Sequence, residues 1–425
     1  MSGDQSQGLS VHQNQPDSRR KEVYIVPKVS IPQLLDTVRE LADTEKNRAY
    51  HELWDDTAQP PYSDFGPFHY LFPRPVNRDG RIPYVFEVEP ALWHRVFGVS
   101  LKEFYTDPAT YLEYWLRVAL YHFEHFHDDY PLTKTIDIDF GSVFPQSLFG
   151  VQTLYADDEA PWNGLEPVWK TEADFSRAGF PDFYESGLLP LAHRFYGDIK
   201  EMVGDDFRVH FISWRKGPFS LLVYLRGFEQ LLMDLFDRPA FVHEMLAFIT
   251  EAMKNWYDQR KAFTGDPWFG PLTLFNDEVS TPTLSPGLYE EFVLPYETEL
   301  ANYFGSVGYW HSCGNTTALA PVIARLPNVH MFDVGPWTNL ARTVETYRQV
   351  PTATIMRRVN PIDWVMRATE NQMRQPLEEV RSVCEGVIPT MVMYDGLNYQ
   401  SDWKTDWEKI HKLDQLCHEI LHRPA

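Results

Sequence analysis

Residues 307–317 read VGYWHSCGNTT and indicate most clearly how the chain folds. The alternating start is followed by a Gly-Asn turn at 314–315 and by apolar residues at helical spacing from Leu319 onward, so the segment predicts a strand, a turn and a helix. Side chains two apart on a strand share a face, which places His311 and Cys313 together at the strand's carboxyl end. An imidazole and a thiolate there suit zinc before other divalent metals. The alternative is a buried histidine and an inert cysteine.

The same alternation of strand and helix recurs along most of the chain. Alternation of this kind predicts a mostly parallel sheet with close to eight strands. The sequence has no glycine-rich dinucleotide fingerprint and no phosphate-binding loop, which disfavours a nucleotide-binding doubly wound fold. We therefore predict an α/β protein, a (β/α)8 TIM barrel with an N-terminal extension. The strand candidates are 81–89, 135–141, 208–214, 272–278, 307–313, 329–334, 352–356 and 391–396.

The division of the chain follows from its composition. Residues 1–22 are polar with no apolar core, so a flexible tail is expected rather than a signal peptide. Residues 23–80 combine one helical pattern with proline-rich stretches and predict a helical and loop extension. Residues 81–425 form the predicted catalytic barrel.

Charge and cysteine content exclude several classes of protein. Lys and Arg number 38 against 60 Asp and Glu, giving a formal charge of −22, which argues against binding to nucleic acid or to anionic membranes. The three cysteines imply no disulfide framework and suit a reducing compartment. No apolar run is long enough to span a bilayer. We expect a cytoplasmic enzyme, and homo-oligomer formation is left open.

Charged residues fall at the predicted carboxyl ends of the strands, where barrels of this type hold their chemistry. Asp277 and Glu278 are predicted as catalytic groups or metal ligands, with a helix cap or an arginine pair as the alternative. Glu89 is a candidate acid or base if burial raises its pKa, although a solvated strand end would explain it too. Lys216 is expected to hold a substrate anion unless it is a surface lysine. Asp395 precedes a glycine and is either a metal ligand or a turn former.

Aromatic residues near the same strand ends predict walls for a flat or aromatic substrate. The candidates for substrate contact, beside Lys216, are Trp214, Phe219, Tyr309 and Tyr394. Packing in the core is the competing explanation for each of them.

Four segments, taken in order, resemble the uroporphyrinogen decarboxylase superfamily. Each segment is weak evidence alone, and the combination is specific. The resemblance extends over roughly residues 80 to 420 and implies a barrel whose chemistry is either decarboxylation of an anionic tetrapyrrole or zinc- and corrinoid-dependent methyl transfer. The segments are Ile138-Asp139-Phe140-Gly141-Ser142, Gly217-Pro218-Phe219, Asn276-Asp277-Glu278 with Ser285-Pro286, and His311-Ser312-Cys313-Gly314.

Two departures from the family's patterns refine this resemblance. The decarboxylases carry an arginine pair near the first strand, where this chain has Phe86-Glu87-Val88-Glu89-Pro90, and carboxylates there would repel a polycarboxylate. Zinc-binding relatives usually have a later cysteine at the last strand, where this chain has Asp395. The resemblance therefore implies zinc held by His311, Cys313 and an oxygen ligand. Asp395 is the first candidate for that ligand, and Glu278 or Asp333 are alternatives.

The predicted function is that of a zinc-dependent methyltransferase. It would move a methyl group between a small methylated donor, with an aryl methyl ether as first choice, and a corrinoid (cobalamin) cofactor. The chain has no Asp-x-His-x-x-Gly segment of the cobalamin-binding type, so the corrinoid is expected on a partner protein. The alternatives are a cofactor-independent decarboxylase, in which Asp139 or Asp277 would orient the substrate, and a non-catalytic barrel that binds a corrinoid protein.

Overall fold

The computed structural model describes residues 29–55, 74–76, 80–265, 272–400 and 402–423. The predicted tail at 1–22 and most of the proline-rich part of the extension lie outside these residues. No helix in the described ranges is long and apolar enough to cross a membrane.

Eight parallel strands surround the centre of the molecule. Six of them form one sheet in the order β1-β8-β7-β6-β5-β4, β2 pairs with β3, and a single parallel bridge from Lys216 to Phe275 joins the segment after β3 to β4. This arrangement confirms the predicted TIM-barrel-like fold. The strands are β1 (Tyr84–Val88), β2 (Thr135–Asp137), β3 (Arg208–His210), β4 (Leu272–Phe275), β5 (Val307–His311), β6 (Val329–Val334), β7 (Thr354–Arg358) and β8 (Thr390–Leu397).

Helices follow the strands and cover the outside of the barrel. Many begin with proline in the first turn, where its missing N–H costs nothing. Two short antiparallel pairs, Trp54–Asp55 with Arg74–Pro75 and Thr153–Leu154 with Trp162–Asn163, lie outside the barrel. The α-helices are Ile31–Ala42, Glu45–His51, Pro90–Phe97, Leu101–Phe104, Pro108–His125, Phe144–Ser147, Glu172–Phe175, Leu189–Val203, Pro218–Arg226, Phe228–Asp237, Pro239–Thr264, Pro286–Phe292, Leu294–Phe304, Ala320–Ile323, Leu340–Tyr347, Glu370–Cys384 and Trp403–Leu421.

Side chains replace ladder hydrogen bonds beside β1. The N–H of Tyr84 donates to the Asp129 carboxylate at 3.0 Å, and the N–H of Phe86 donates to Asp128 at 2.8 Å. Unpaired backbone groups in a buried strand are costly, so these two carboxylates satisfy the edge of β1 that faces away from β8. His122 in turn lies 2.6 Å from Asp128 and is buried with it.

The barrel interior is filled by a separate apolar cluster. Val85, Tyr309, Met331, Met356 and Met391 pack together inside the ring of strands. Methionine adapts to irregular space, which suits the centre of a barrel-like arrangement of strands. A functional site is therefore expected at the carboxyl ends of the strands, above this packing.

Several element boundaries differ from those that the sequence suggests. Residues 286–304 form two helices with a break at Val293 rather than one continuous helix. Pro295 has no N–H to donate to the carbonyl of Glu291, and its ring would clash with that carbonyl in a continuous helix. The strand expected at 208–214 is regular only over Arg208–His210.

Candidate metal centre and pocket

Three potential ligands converge at the ends of β4 and β5. The two strands are parallel, with Phe275 opposite His311. Asp277 and Cys313 each lie two residues beyond that pair and therefore meet above it. The ligand atoms of Asp277, His311 and Cys313 all lie within 4.8 Å of one another. These three residues are called the ligand triad below.

The spacing of the ligand triad fits zinc. His311 Nε2 lies 2.9 Å from Asp277 Oδ1, and Cys313 Sγ lies 3.3 Å from Asp277 Oδ1 and 3.4 Å from His311 Nε2. Zinc bonds of about 2.0–2.1 Å to N and O and about 2.3 Å to S in a tetrahedron place ligand atoms about 3.3–3.6 Å apart. Movements of a few tenths of an ångström would thus suffice. Three protein ligands with an open fourth position are the pattern of catalytic zinc sites.

His311 is held in orientation by groups behind it. Its Nδ1 lies 2.9 Å from Asp333 Oδ2 and 3.2 Å from the Tyr309 hydroxyl. Arg358 donates to Asp333 at 3.1 Å, and the N–H of Ser312 donates to the same carboxylate at 3.3 Å. A carboxylate behind a histidine fixes the ring and makes the other nitrogen a better ligand. Asp333, one of the alternative ligands, is instead the support of His311.

Lys216 balances the charge of Asp277. Its ammonium lies 2.9 Å from Asp277 Oδ2 and 3.7 Å from Glu278 Oε1. Burial alone would raise the pKa of Asp277, but Lys216 and His311 outweigh it and hold that pKa well below its usual range. Asp277 is therefore ionised, with Oδ2 on the lysine and Oδ1 directed at the other two ligands. The buried Lys216 contacts the protein's own carboxylates, whereas a substrate anion was the expected partner.

A pocket of about 570 Å³ opens above the ligand triad. Two tryptophans stand at its mouth, Trp162 at 57% exposed and Trp337 at 61% exposed. Its remaining aromatic lining includes Tyr105, Tyr111, Phe144 and Phe275. Glu89, predicted as an acid or base, also lines the pocket, and burial together with the neighbouring Asp395 raises its pKa to about 7.

The predicted ligand Asp395 has another partner. It lines the pocket, and its carboxylate forms an ion pair with Arg358, while Asp277 occupies the place beside His311 and Cys313. β7 and β8 are adjacent with Arg358 opposite Met393, so Asp395 falls within reach of the guanidinium. Glu278 stays beside Lys216, with its Oε2 buried and without a hydrogen bond among the described residues.

The predicted aromatic contacts lie mostly in the core. Trp214 and Phe219 are buried behind the pocket, and the Trp214 indole donates to the Lys216 carbonyl. Tyr394 is buried and stacks on Phe86. Tyr309 supports His311 from within the barrel. None of these four is among the residues that line the pocket.

Sequence reasoning missed several residues of the site. Arg358 stands at the end of β7, two residues beyond the predicted strand, so the strand-end rule that selected the acids would have found it. Tyr105 and Trp337 lie between regular elements and Trp162 lies in a two-residue strand outside the barrel, so no periodicity marks them. Cys384 is buried at the end of the helix Glu370–Cys384 and is not part of the ligand triad.

Most of the chain matches a known protein family. The family model described as "Uroporphyrinogen decarboxylase (URO-D)" matches residues 94–390, which include the whole ligand triad. The chain belongs to the uroporphyrinogen decarboxylase family. Glu89 and Asp395 lie outside the matched range, so this member carries acidic pocket residues that the family match does not include.

A solved structure supports the fold of this family member. It is a methyltransferase from Methanosarcina mazei, to which the chain is similar with 17% sequence identity and a TM-score of 0.58. The similarity covers 81% of this chain and 95% of that chain. No curated protein matches the sequence at a significant level.

Proposed function

We propose that this member of the uroporphyrinogen decarboxylase family is a zinc-dependent methyltransferase. It would move a methyl group between a small methylated donor and a corrinoid carried by a partner protein. The observation that carries the proposal is the ligand triad, in which Asp277, His311 and Cys313 bring oxygen, nitrogen and sulfur donors together beside a pocket. The solved structure of similar fold is a methyltransferase from Methanosarcina mazei, which is consistent with this activity.

The residues around the ligand triad have distinct tasks. Zinc, when bound, would make a coordinated thiol a thiolate or make the atom that carries the methyl group a better leaving group. Asp333 holds the His311 ring so that Nε2 faces the other ligands. Lys216 keeps Asp277 ionised, and Arg358 keeps Asp333 in place. The aromatic walls shield the reacting groups from water.

The charges of the pocket disfavour the decarboxylase alternative. A substrate with several carboxylates needs cations that are available to it. The lysine and arginines that line the described part of the pocket are Arg215, Lys216 and Arg358, and each is already beside two carboxylates of the protein.

The shape of the site is consistent with the proposed cofactor and donor. The pocket is entered between exposed tryptophans, so a corrinoid held by a partner would approach the ligand triad through the mouth. The aromatic lining suits an aryl methyl ether or another small donor with an apolar body.

The proposal predicts formation of methylcobalamin. Zinc-loaded protein, mixed with reduced cobalamin or a corrinoid protein and a set of methylated donors, should change the corrinoid absorption spectrum in a time-dependent manner. Protein treated with a chelator should give at least a roughly hundredfold slower change, because catalytic metals commonly contribute several kcal/mol to transition-state stabilisation. A non-catalytic barrel would give no turnover. Release of carbon dioxide from a carboxylated substrate, equal with and without zinc, would favour the lyase instead.

A further inference from the structure

Acidic residues line the pocket on the side away from the ligand triad. Glu87 is in β1 and Glu89 follows it, and both face the pocket. In the sheet, β8, β7 and β6 lie between β1 and β5, the strand that carries His311. β1 is therefore four strands away from β5. In an eight-stranded barrel this is the opposite side. A bound molecule that reaches from the ligand triad across the pocket would therefore end beside these glutamates.

The aromatic ring of Tyr105 lies on the same side of the pocket as these carboxylates. Tyr105 is buried against the pocket, and its hydroxyl has a pKa raised well above the ordinary value by burial and by Asp139, Glu89 and Glu87. The tyrosine therefore lies within electrostatic range of all three carboxylates. Aromatic faces combined with carboxylates are favourable surroundings for organic cations. The group Glu87, Glu89 and Tyr105 is called the acidic corner below.

Glu89 has no cation of its own in the described part of the chain. No described residue forms a hydrogen bond or ion pair with its carboxylate, although the side chain is partly buried and lines the pocket. The pKa of about 7 shows that ionisation is costly there. A positive charge brought by a ligand would remove that cost.

The neighbouring cations are already neutralised. Arg215 lies 2.8 Å from Asp137 and 2.7 Å from Asp139, and Arg358 bridges Asp333 and Asp395. Among the described residues, a negatively charged substrate tail would therefore meet carboxylates on this side of the pocket and no basic side chain that is not already paired. A positively charged tail would meet Glu89 directly.

We propose that the acidic corner binds a positively charged group of the substrate, such as an ammonium, at the end remote from the ligand triad. This inference rests on the proposed function, which assigns zinc to the other end of the substrate. The substrate class is thereby a small molecule with a zinc-binding or methyl-bearing heteroatom at one end and a cation at the other.

Three thiols of similar size that differ in the charge of their tails test the proposal. Cysteamine, mercaptoethanol and mercaptopropionate carry positive, neutral and negative tails, and their binding to the zinc-loaded protein can be measured by calorimetry. Cysteamine is expected to bind roughly tenfold more tightly than mercaptoethanol, because one hydrogen bond to a charged group contributes about that much affinity. Mercaptopropionate is expected to bind most weakly. Glu89→Gln should reduce the preference for cysteamine to near unity. Glu201→Gln, which removes the same charge from an exposed helix position, should leave the preference unchanged.

A second titration separates this inference from the proposed function. Butylammonium contains no thiol, so its binding to the metal-free protein depends on the acidic corner alone, and Glu89→Gln should weaken that binding roughly tenfold. Loss of butylammonium binding in Glu89→Gln, with no zinc-dependent thiol binding in either protein, would support the cation site and contradict the zinc chemistry. An unchanged cysteamine preference in Glu89→Gln, or tightest binding of mercaptopropionate to the unsubstituted protein, would overturn the inference.

Discussion

Replacing His311 by alanine is expected to abolish methyl transfer and to lower zinc affinity by at least roughly 100-fold while the barrel stays folded. Removing a residue that only hydrogen-bonds to a metal ligand already lowers metal affinity about 10–100-fold. His311 is itself a predicted ligand, so its loss should lower the zinc affinity at least as much. The fold should persist because Asp333 keeps its contacts with Arg358 and the Ser312 N–H, so no buried charge is left unpaired. Metal analysis after dialysis, circular dichroism and the corrinoid assay measure the three effects.

His330→Ala is the matched control. His330 belongs to β6 but lies near its amino end, at the opposite end of the barrel from the ligand triad. This variant should retain both zinc and activity. Full zinc occupancy in a double variant with His311→Ala and Cys313→Ala would exclude the ligand triad as the metal site.

Arg358→Met is expected to reduce the free energy of unfolding by about 3–5 kcal/mol, the usual cost of removing one partner from a buried ion pair. Arg358 is 4% exposed and contacts both Asp333 and Asp395. Methionine keeps an apolar side chain of similar length but removes the cation that Asp333 and Asp395 share. The measurement is urea unfolding followed by fluorescence.

A surface arginine provides the comparison for Arg358. The Arg325 side chain is 54% exposed and pairs with the half-exposed Glu290, so Arg325→Met should change the free energy of unfolding by no more than about 1 kcal/mol. A loss of less than about 1 kcal/mol in Arg358→Met as well would mean that the ion pairs of Arg358 do not stabilise the native state.

The sequence predicts those parts of the site that depend on local periodicity. His311 and Cys313 are two residues apart on one strand, and the period of a β-strand is enough to place them together. Asp277 joins them through the register of β4 against β5, which is a property of strands that are distant in sequence. The prediction of Asp395 as a ligand relied instead on the last strand of the family. The actual partner of Asp395 is Arg358, which the register of β7 against β8 brings close to it.

The pocket walls were harder to predict because an aromatic residue near a strand end can face either the pocket or the surrounding helices. Trp214, Phe219 and Tyr394 face the packing between elements, where burial of large apolar area stabilises the fold. The observed walls include Trp162 and Trp337, whose positions depend on the path of the connections between strands. The break of the helix at Val293 had a local cause, Pro295, that the sequence already contained.

The zinc content of the purified protein tests the central claim most directly. Protein saturated with zinc, freed of excess metal and analysed by atomic spectroscopy should contain about one zinc per folded chain, held by the ligand triad. Folded protein that retains no zinc above background, yet forms methylcobalamin at an undiminished rate, would contradict the account.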